Sequence, residues 1–592
     1  MVALVATLGA CSVAADPQSA TPLRTLVHAA ERPAAAPPSP DARACGSMLS
    51  FPAGTAGEIM AGKLTIAPFP AATIGKGAVD WSMNPFHDPT WRLDFRWGEW
   101  VEALIEGYLA GGTHASAYRD RAKAILKSWI ADVPIADKNP LTAICAAQAF
   151  PGQAWIHNEI PVLLDYYAAH WQGAYNHGLS QDLELLKAGC AYPAGQWGGR
   201  PATWRKTALT HLTAAFNPNQ YGPAVDAQWV SNEQATGYAN FSYGLWTSAE
   251  ADVRACGLSL PGWITGRIAK MPLFLALATQ PDGKLAQIGD TYRIAPRNRA
   301  QTPLRFAATR GKAGTPPSRR IGVYAAGYVF GRSAWGNANT FGSQSFYSLR
   351  FGPGTQIHGH ADHMALTYYA RGRNLIVNAG HDGYANTPYR AYLLSPEAGS
   401  VLVMPGVPFQ PAAATRLVSS DIRAKAQFYK FYDTAFGGLP RWRSVYVDQD
   451  PDLILVLDRA SGGGRYEQLW HLDPGLSVRS VTAATAVATA PGTQLVLRQV
   501  PLPGQRIPSG STRVVGGFVS RGQNQRTHAP ILTMTRGGAS AAMLTLIAPT
   551  ARGVPVHVSI TAAGGGRCLL RVTIGSKSLS FLVTGDGQIR QN

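Results

Sequence analysis

The sequence predicts an α+β protein with helices in its first half and antiparallel strands in its second. Two observations carry that reading. From about residue 90 to 280, apolar residues recur with a helical period and no clear strand interrupts them. From about residue 320 the period changes to short runs rich in β-branched and aromatic residues, punctuated by Gly, Asp and Pro. A length of 592 residues fits two or three domains rather than one.

The helical half is read segment by segment. In "YRDRAKAILKSWIADV" the apolar positions Tyr118, Ala122, Ile125, Leu126, Trp129, Ile130 and Val133 share one helical face. "DFRWGEWVEALIEGYLAGG", "IHNEIPVLLDYYAAHW", "ATWRKTALTHLTAAF" and "GYANFSYGLWTSAEADVRACG" repeat that character, joined by Gly, Pro and Asn, as expected of antiparallel helix pairs. The β half begins with "YVFGRSAW" and "QSFYSLRFG". It continues through "MALTYYARGRNLIVNAG", "RSVYVDQDPDLILVLDRASGGGRYEQLWHL" and "AAMLTLIAP", the pattern of a large antiparallel β-sandwich. The basic Gly/Pro stretch "RGKAGTPPSRR" falls between the halves. The domains expected are therefore 46–315, helical, and 316–592, β.

Residues 1–45 read differently. "MVALVATLGACSVAADPQSATP" has a short apolar stretch and small residues, like an export signal without a basic start. "LGAC" resembles a lipoprotein box, which would put a lipid on Cys11. An Ala/Pro/Ser-rich tether follows. The expectation is a secreted or cell-surface protein. Cys45, Cys145, Cys190, Cys256 and Cys568 are too widely spaced for a zinc motif and allow one or two disulfides with a thiol left over, in no deducible pairing.

The net charge of +18 favours a polyanionic partner. No Lys/Arg run, zinc-finger spacing or RNA-binding motif accompanies it, so acidic polysaccharide ranks above nucleic acid. The spacing gives no sign of oligomeric state.

Three clusters carry candidate chemistry. "QIHGHADHMALTYYARGRNLIVNAGHDGY" holds four of the chain's 14 histidines, at 358, 360, 363 and 381. If His358-Gly359-His360 lies on a strand, its two imidazoles project to one face, where one moves a proton and the other ligates or orients. As a cleft residue, His358 is expected to carry few packing contacts. "WVSNEQATGYANFSYGLW" offers Asn232, either a helix cap or an amide that hydrogen-bonds a substrate carboxylate. "PDGKLAQIGDTYR" places Asp290, Tyr292 and Arg293 on a loop, where the Tyr292 phenol could move protons if its pKa is lowered.

Together with "GYVFGRSAW" and the later "GGFVSRGQ…HAPILTM", these clusters resemble the heparinase II/III-like polysaccharide lyases. The resemblance spans the chain from about residue 80. It implies an N-terminal (α/α) toroid packed on a C-terminal β-sandwich, with the site in the cleft between them. It implies cleavage of a uronate-containing acidic polysaccharide by β-elimination. Asn232 would neutralise the uronate carboxylate, Tyr292 would serve as acid/base with Tyr238 and Tyr243 as competitors, and His358 would be the catalytic histidine. Arg293 would contact the substrate carboxylate, and Gln234, Tyr238 and His360 are further substrate-binding positions. A zinc site in relatives would map to His360, to Asn378 where an Asp is usual, and to Ala398 or Gly399 where a His is usual. Asn378 is a poor zinc ligand, so no cofactor is expected, although His363 and His381 offer substitutes. His471 is expected in the sandwich core or at the cleft edge. A uronate epimerase and an inactive carbohydrate-binding surface protein remain as alternatives.

Overall fold

A computed structural model describes residue 51, residues 54–296 and residues 303–592. The export-signal and tether expectations for 1–45, and the lipid on Cys11, fall outside the described residues.

The helical half starts earlier than the period suggested, with the short helix Thr55–Met60 and a two-stranded sheet of Lys63–Leu64 and Ala72–Thr73. Asp88 caps the helix Pro89–Trp97 by accepting from Thr90 and Trp91 N–H groups, and Gly98 ends it in the left-handed region (φ 77°). This splits "DFRWGEWVEALIEGYLAGG" into two helices, the second being Glu102–Leu109. Ala115–Asp132 buries Ala122, Ile125, Leu126 and Trp129, the stripe read from the sequence. It packs against Glu102–Leu109, and Asn176–Ala191 packs against both Arg200–Ala214 and Thr236–Ala255. Trp91, Trp100, Trp129, Trp204 and Trp246 are fully buried in the resulting core. Cys190 and Cys256 form a disulfide, and Cys568 is a free thiol.

The last helix of this half is Pro303–Ala308, and the next strand is Ile321–Tyr324. Five strands then form an antiparallel sheet in chain order, from Ile321–Tyr324 to Arg373–Ile376. A ten-stranded antiparallel sheet follows, built around the long strands Asp452–His471 and Gln525–Thr550. The register of that pair shifts between Ser461 and Gly464, at the "SGGG" stretch where Gly462 and Gly464 have positive φ. The last strands, Val556–Ala562 to Ile589–Gln591, make a four-stranded sheet.

These sheets stack in three layers, not the two of a simple sandwich, because the strand period of two gives each inner sheet two apolar faces. In the five-stranded sheet, Tyr328, Phe330, Phe346 and Tyr369 join the helical core. Their neighbours Val329, Tyr347, Leu349 and Tyr368 face the ten-stranded sheet, against Tyr429, Phe431, Ile454 and Val456. The opposite face of that sheet, with Leu453, Leu455 and Leu457, packs on Leu570, Val572 and Phe581 of the four-stranded sheet. The five-stranded sheet is thus the one that meets the helices, and its loops carry the histidines.

Candidate active site

His358 does not lie on a strand. It sits in a turn between the strands Phe346–Arg350 and Leu366–Ala370. Gly359 N–H donates to the Gln356 carbonyl (2.7 Å), and Ile357 is held at φ 36°, a strained conformation for a β-branched residue. Gln234 locks the turn: its amide donates to Gly354 O (2.9 Å) and its Oε1 accepts from Gln356 N–H (2.7 Å). A Cβ on Gly359 would stand 2.3 Å from that Oε1, so a larger residue there would have to displace the Gln234 amide from the turn. Gln234 is therefore a scaffold of the loop, with its amide already engaged, rather than a free substrate contact.

The turn sends the two imidazoles apart. His358 Nδ1 lies 2.8 Å from Glu233 Oε2, and both side chains are buried. Glu233 Oε1 accepts from Asn176 N–H and Ser242 Oγ–H, each at 2.8 Å. A carboxylate only accepts, so this contact places a His358 proton on Nδ1. The His358 ring stacks on Tyr238 with centroids 3.4 Å apart and planes within 6°. The Tyr238 hydroxyl is 2.7 Å from that of Tyr384, which is half-buried. His358 is 1% exposed, so the expectation of few packing contacts does not hold.

His360 points elsewhere, its Nε2 2.8 Å from Asp290 Oδ1. His381 Nδ1 reaches the same oxygen at 3.1 Å, and Arg390 forks onto both oxygens of Asp290. Burial would raise the Asp290 carboxyl, but the Arg390 guanidinium above all, with the hydrogen-bonding imidazoles, holds it well below the usual carboxylate range. His363 does not join the cluster. Its Nδ1 contacts Thr415 Oγ1 at 3.0 Å, inside the β layers. His360, Asn378 and Gly399 do line one small cavity, together with Asp362, but it offers a single imidazole.

Tyr292 leans on His381 with ring centroids 4.6 Å apart. Burial, with Asp290 nearby, raises its phenol pKa, the opposite of the lowering that its loop position suggested. Burial also pushes Tyr238 and Tyr384 well above the ordinary value. Arg293 does not stand free for a substrate carboxylate: Asp282 pairs with it at 2.6 Å. Asn232 caps no helix. Its Nδ2 donates to Ala174 O (3.0 Å) and Gly222 O (3.4 Å), and its buried Oδ1 has no hydrogen-bond partner among the described residues. Asn232 adjoins Glu233, while Tyr292, His381, Tyr384, Tyr238 and His358 form a chain of ring contacts. Tyr292 and His358 thus stand on one run of contacts, whereas the Asn232 side chain is bonded to Ala174 and Gly222. The sequence reading passed over Glu233, Tyr384 and Arg390. Glu233 was adjacent to a chosen residue, but only the fold brings it to His358, 125 positions away.

His363, His381 and His471 are buried and held neutral down to about 4, chiefly by loss of hydration. His471 bonds to Tyr392 OH at 2.9 Å in the β layers. The unfolded chain binds protons at these groups near pH 6.5 while the folded chain does not. Each therefore destabilises the fold progressively from pH 6.5 down to about 4, by at most about 3 kcal/mol. Asp182 and Asp452, pushed up to about 6 by burial, work the other way, because the folded state takes up their protons first. The test is thus a difference: denaturation of His471→Gln and the parent at pH 7, 5.5 and 4.5. The variant is expected to lose less stability on acidification. An identical pH slope in both proteins refutes the assignment.

Residues 344–537 match the family model described as Heparinase II/III-like, C-terminal. No curated protein sequence matches the chain. Among solved structures, the chain is similar to heparinase III, at 14% identity and TM-score 0.75 over 90% of each chain. It is similar to a mutant of the heparan sulfate lyase HepC from Pedobacter heparinus, at 18% identity and TM-score 0.68, over 93% of this chain and 92% of that one. It is also similar to a Paenibacillus xanthan lyase, at 9% identity and TM-score 0.56, over 90% of this chain and 62% of that one.

Proposed function

We propose that this chain, which carries a heparinase II/III-like C-terminal domain, is a polysaccharide lyase that cleaves a uronate-containing acidic polymer by β-elimination. The observation that carries the reading is the buried Glu233–His358 pair stacked on Tyr238 at the seam between helices and sheet. The similar solved structures include lyases of heparan sulfate and xanthan, which supports the class. We read the helical half as the (α/α) toroid and the stacked sheets as its β partner. The net charge of +18 suits capture of a polyanion.

In this reading His358 Nε2 takes the C5 proton, and Glu233 stabilises the imidazolium that results. The electron pair from C5–H forms the C4–C5 double bond as the C4–O4 bond breaks. O4 leaves with a proton from a phenol. Tyr238, Tyr292 and Tyr384 all have raised pKa values, so they stay protonated and suit donation better than abstraction. Asn232 neutralises the carboxylate by turning an N–H away from Gly222 O, the longer of its two bonds. Because His358 is 1% exposed, substrate reaches it only when neighbouring side chains move, and half-buried Tyr384 is the outermost of its ring neighbours. The Cys190–Cys256 disulfide supports a location outside the cytoplasm, secreted or at the cell surface.

The test is a screen of heparan sulfate, chondroitin, hyaluronan and alginate for the ultraviolet absorbance of an unsaturated uronate, with and without chelator. One polymer is expected to give the product at equal rates in both. Exchange of the C5 proton without an unsaturated product indicates an epimerase instead. Neither signal on any polymer removes the reading.

A further inference from the structure

Three side chains converge on Asp290. Its Oδ1 lies 2.8 Å from His360 Nε2, 3.1 Å from His381 Nδ1 and 2.6 Å from Arg390 Nη1, while Oδ2 accepts from Arg390 Nη2 at 3.0 Å. Two imidazoles and one carboxylate, with ligand atoms all within 4.8 Å of one another, are a donor set that catalytic zinc accepts.

Two features of the cluster oppose a metal. Around tetrahedral zinc with bonds of about 2.0–2.1 Å, neighbouring ligand atoms stand about 3.3 Å apart. Here both imidazoles contact the carboxylate directly and more closely than that. The cluster also holds a cation already. The Arg390 guanidinium lies flat against Asp290 in a fork, with 14% of its side chain exposed, and its Nη1 is 2.9 Å from His381 Nδ1. A second cation a few ångströms away would meet strong repulsion in this poorly hydrated site. The neighbouring cavity lined by His360, Asp362, Asn378 and Gly399 supplies one imidazole, one amide and one carboxylate that already pairs with the Arg350 guanidinium, a set poorer in good zinc ligands than the cluster itself.

We propose that Arg390 is the resident cation of this cluster, and that its guanidinium both holds Asp290, His360 and His381 together and keeps a divalent metal out. Arginine suits the role because its planar fork binds both carboxylate oxygens and its charge is permanent. The guanidinium also lies 5.0 Å over the Tyr384 ring, whose hydroxyl meets Tyr238 on the face of His358. Arg390 is thus a positioning residue for the wall of the site.

The experiment reads zinc, not turnover, so its outcome is independent of the lyase reading. Parent protein, Arg390→Ala, Arg390→Lys and Arg390→Ala/His381→Ala are incubated with zinc and dialysed, and zinc per chain and thermal unfolding are measured. The parent and Arg390→Lys are expected to retain no stoichiometric zinc and show no zinc-dependent rise in unfolding temperature. Arg390→Ala is expected to retain one equivalent and to be stabilised by zinc, and the double variant to lose both effects. Arg390→Gln replaces Arg390→Ala if the latter does not fold. One equivalent of zinc on the parent, lost in His360→Ala, overturns the proposal. So does a folded neutral variant that takes up no zinc, or failure of both neutral variants to fold, which would make Arg390 a folding element only.

Discussion

Replacing His358 by glutamine should lower kcat on the cleaved polymer by roughly 10²–10⁴-fold, the usual contribution of a positioned acid or base, while leaving the protein folded. Glutamine is the informative choice because of where the imidazole sits. Alanine would remove the ring stacked on Tyr238 and strand the Glu233 carboxylate, buried at 1% side-chain exposure, without its donor. It would therefore confound lost chemistry with lost stability. Glutamine keeps an N–H toward Glu233 but has no nitrogen that cycles a proton near neutral pH. Glu233→Gln is the companion variant: it keeps the contact and removes the charge that stabilises an imidazolium, so its activity should fall with the pH profile displaced. The readout is initial rate across pH beside thermal unfolding. A His358→Gln variant that folds and retains most of its turnover removes His358 from the mechanism.

The local periods of this sequence were sufficient for its elements. The stripe on Ala115–Asp132 and the hairpin of Leu366–Ala370 with Arg373–Ile376 were legible because one face of each is apolar at a fixed spacing. What spacing cannot convey is which face meets which partner. The three sheet layers follow from strands buried on both sides, and a run such as "FYSLR" reads the same in two layers as in three. The site illustrates a second limit. His358 and His360 were placed on one face by assuming a strand, whereas Ile357 at positive φ and the Gln234 lock make a turn that separates them. Residues whose partners are remote left no local trace: Arg390 meets Asp290 across 100 positions.

The largest effect on stability is expected at Arg443, which links the β layers to the histidine loop. Its guanidinium forks onto Asp458 at 2.7 and 2.6 Å and donates through Nη1 to the carbonyls of Met364 and Ser400, each at 2.8 Å, with none of the side chain exposed. Met364 closes the turn-rich segment that begins at His358, and Ser400 follows Gly399 beside the small cavity. Arg443→Ala would leave a buried carboxylate without its cation and take one donor each from the Met364 and Ser400 carbonyls, of which Ser400 O keeps its bond from Leu366 N–H (3.2 Å), at a cost of about 3–5 kcal/mol. Gln468 would still donate to Asp458 Oδ2 at 2.8 Å, but an amide supplies no charge. The double variant Arg443→Met/Asp458→Leu should recover most of that loss, because it removes both charges from the interior and fills the volume with apolar groups. It cannot restore the bonds to Met364 and Ser400. If those bonds hold the loop, the double variant will be stable yet impaired in turnover, with the defect in kcat rather than in unfolding. Chemical denaturation of the three proteins, set beside their rates, separates the two contributions. An Arg443→Ala variant within 1 kcal/mol of the parent, by the same scale of buried pairs, would show that the ion pair is not what fastens the loop.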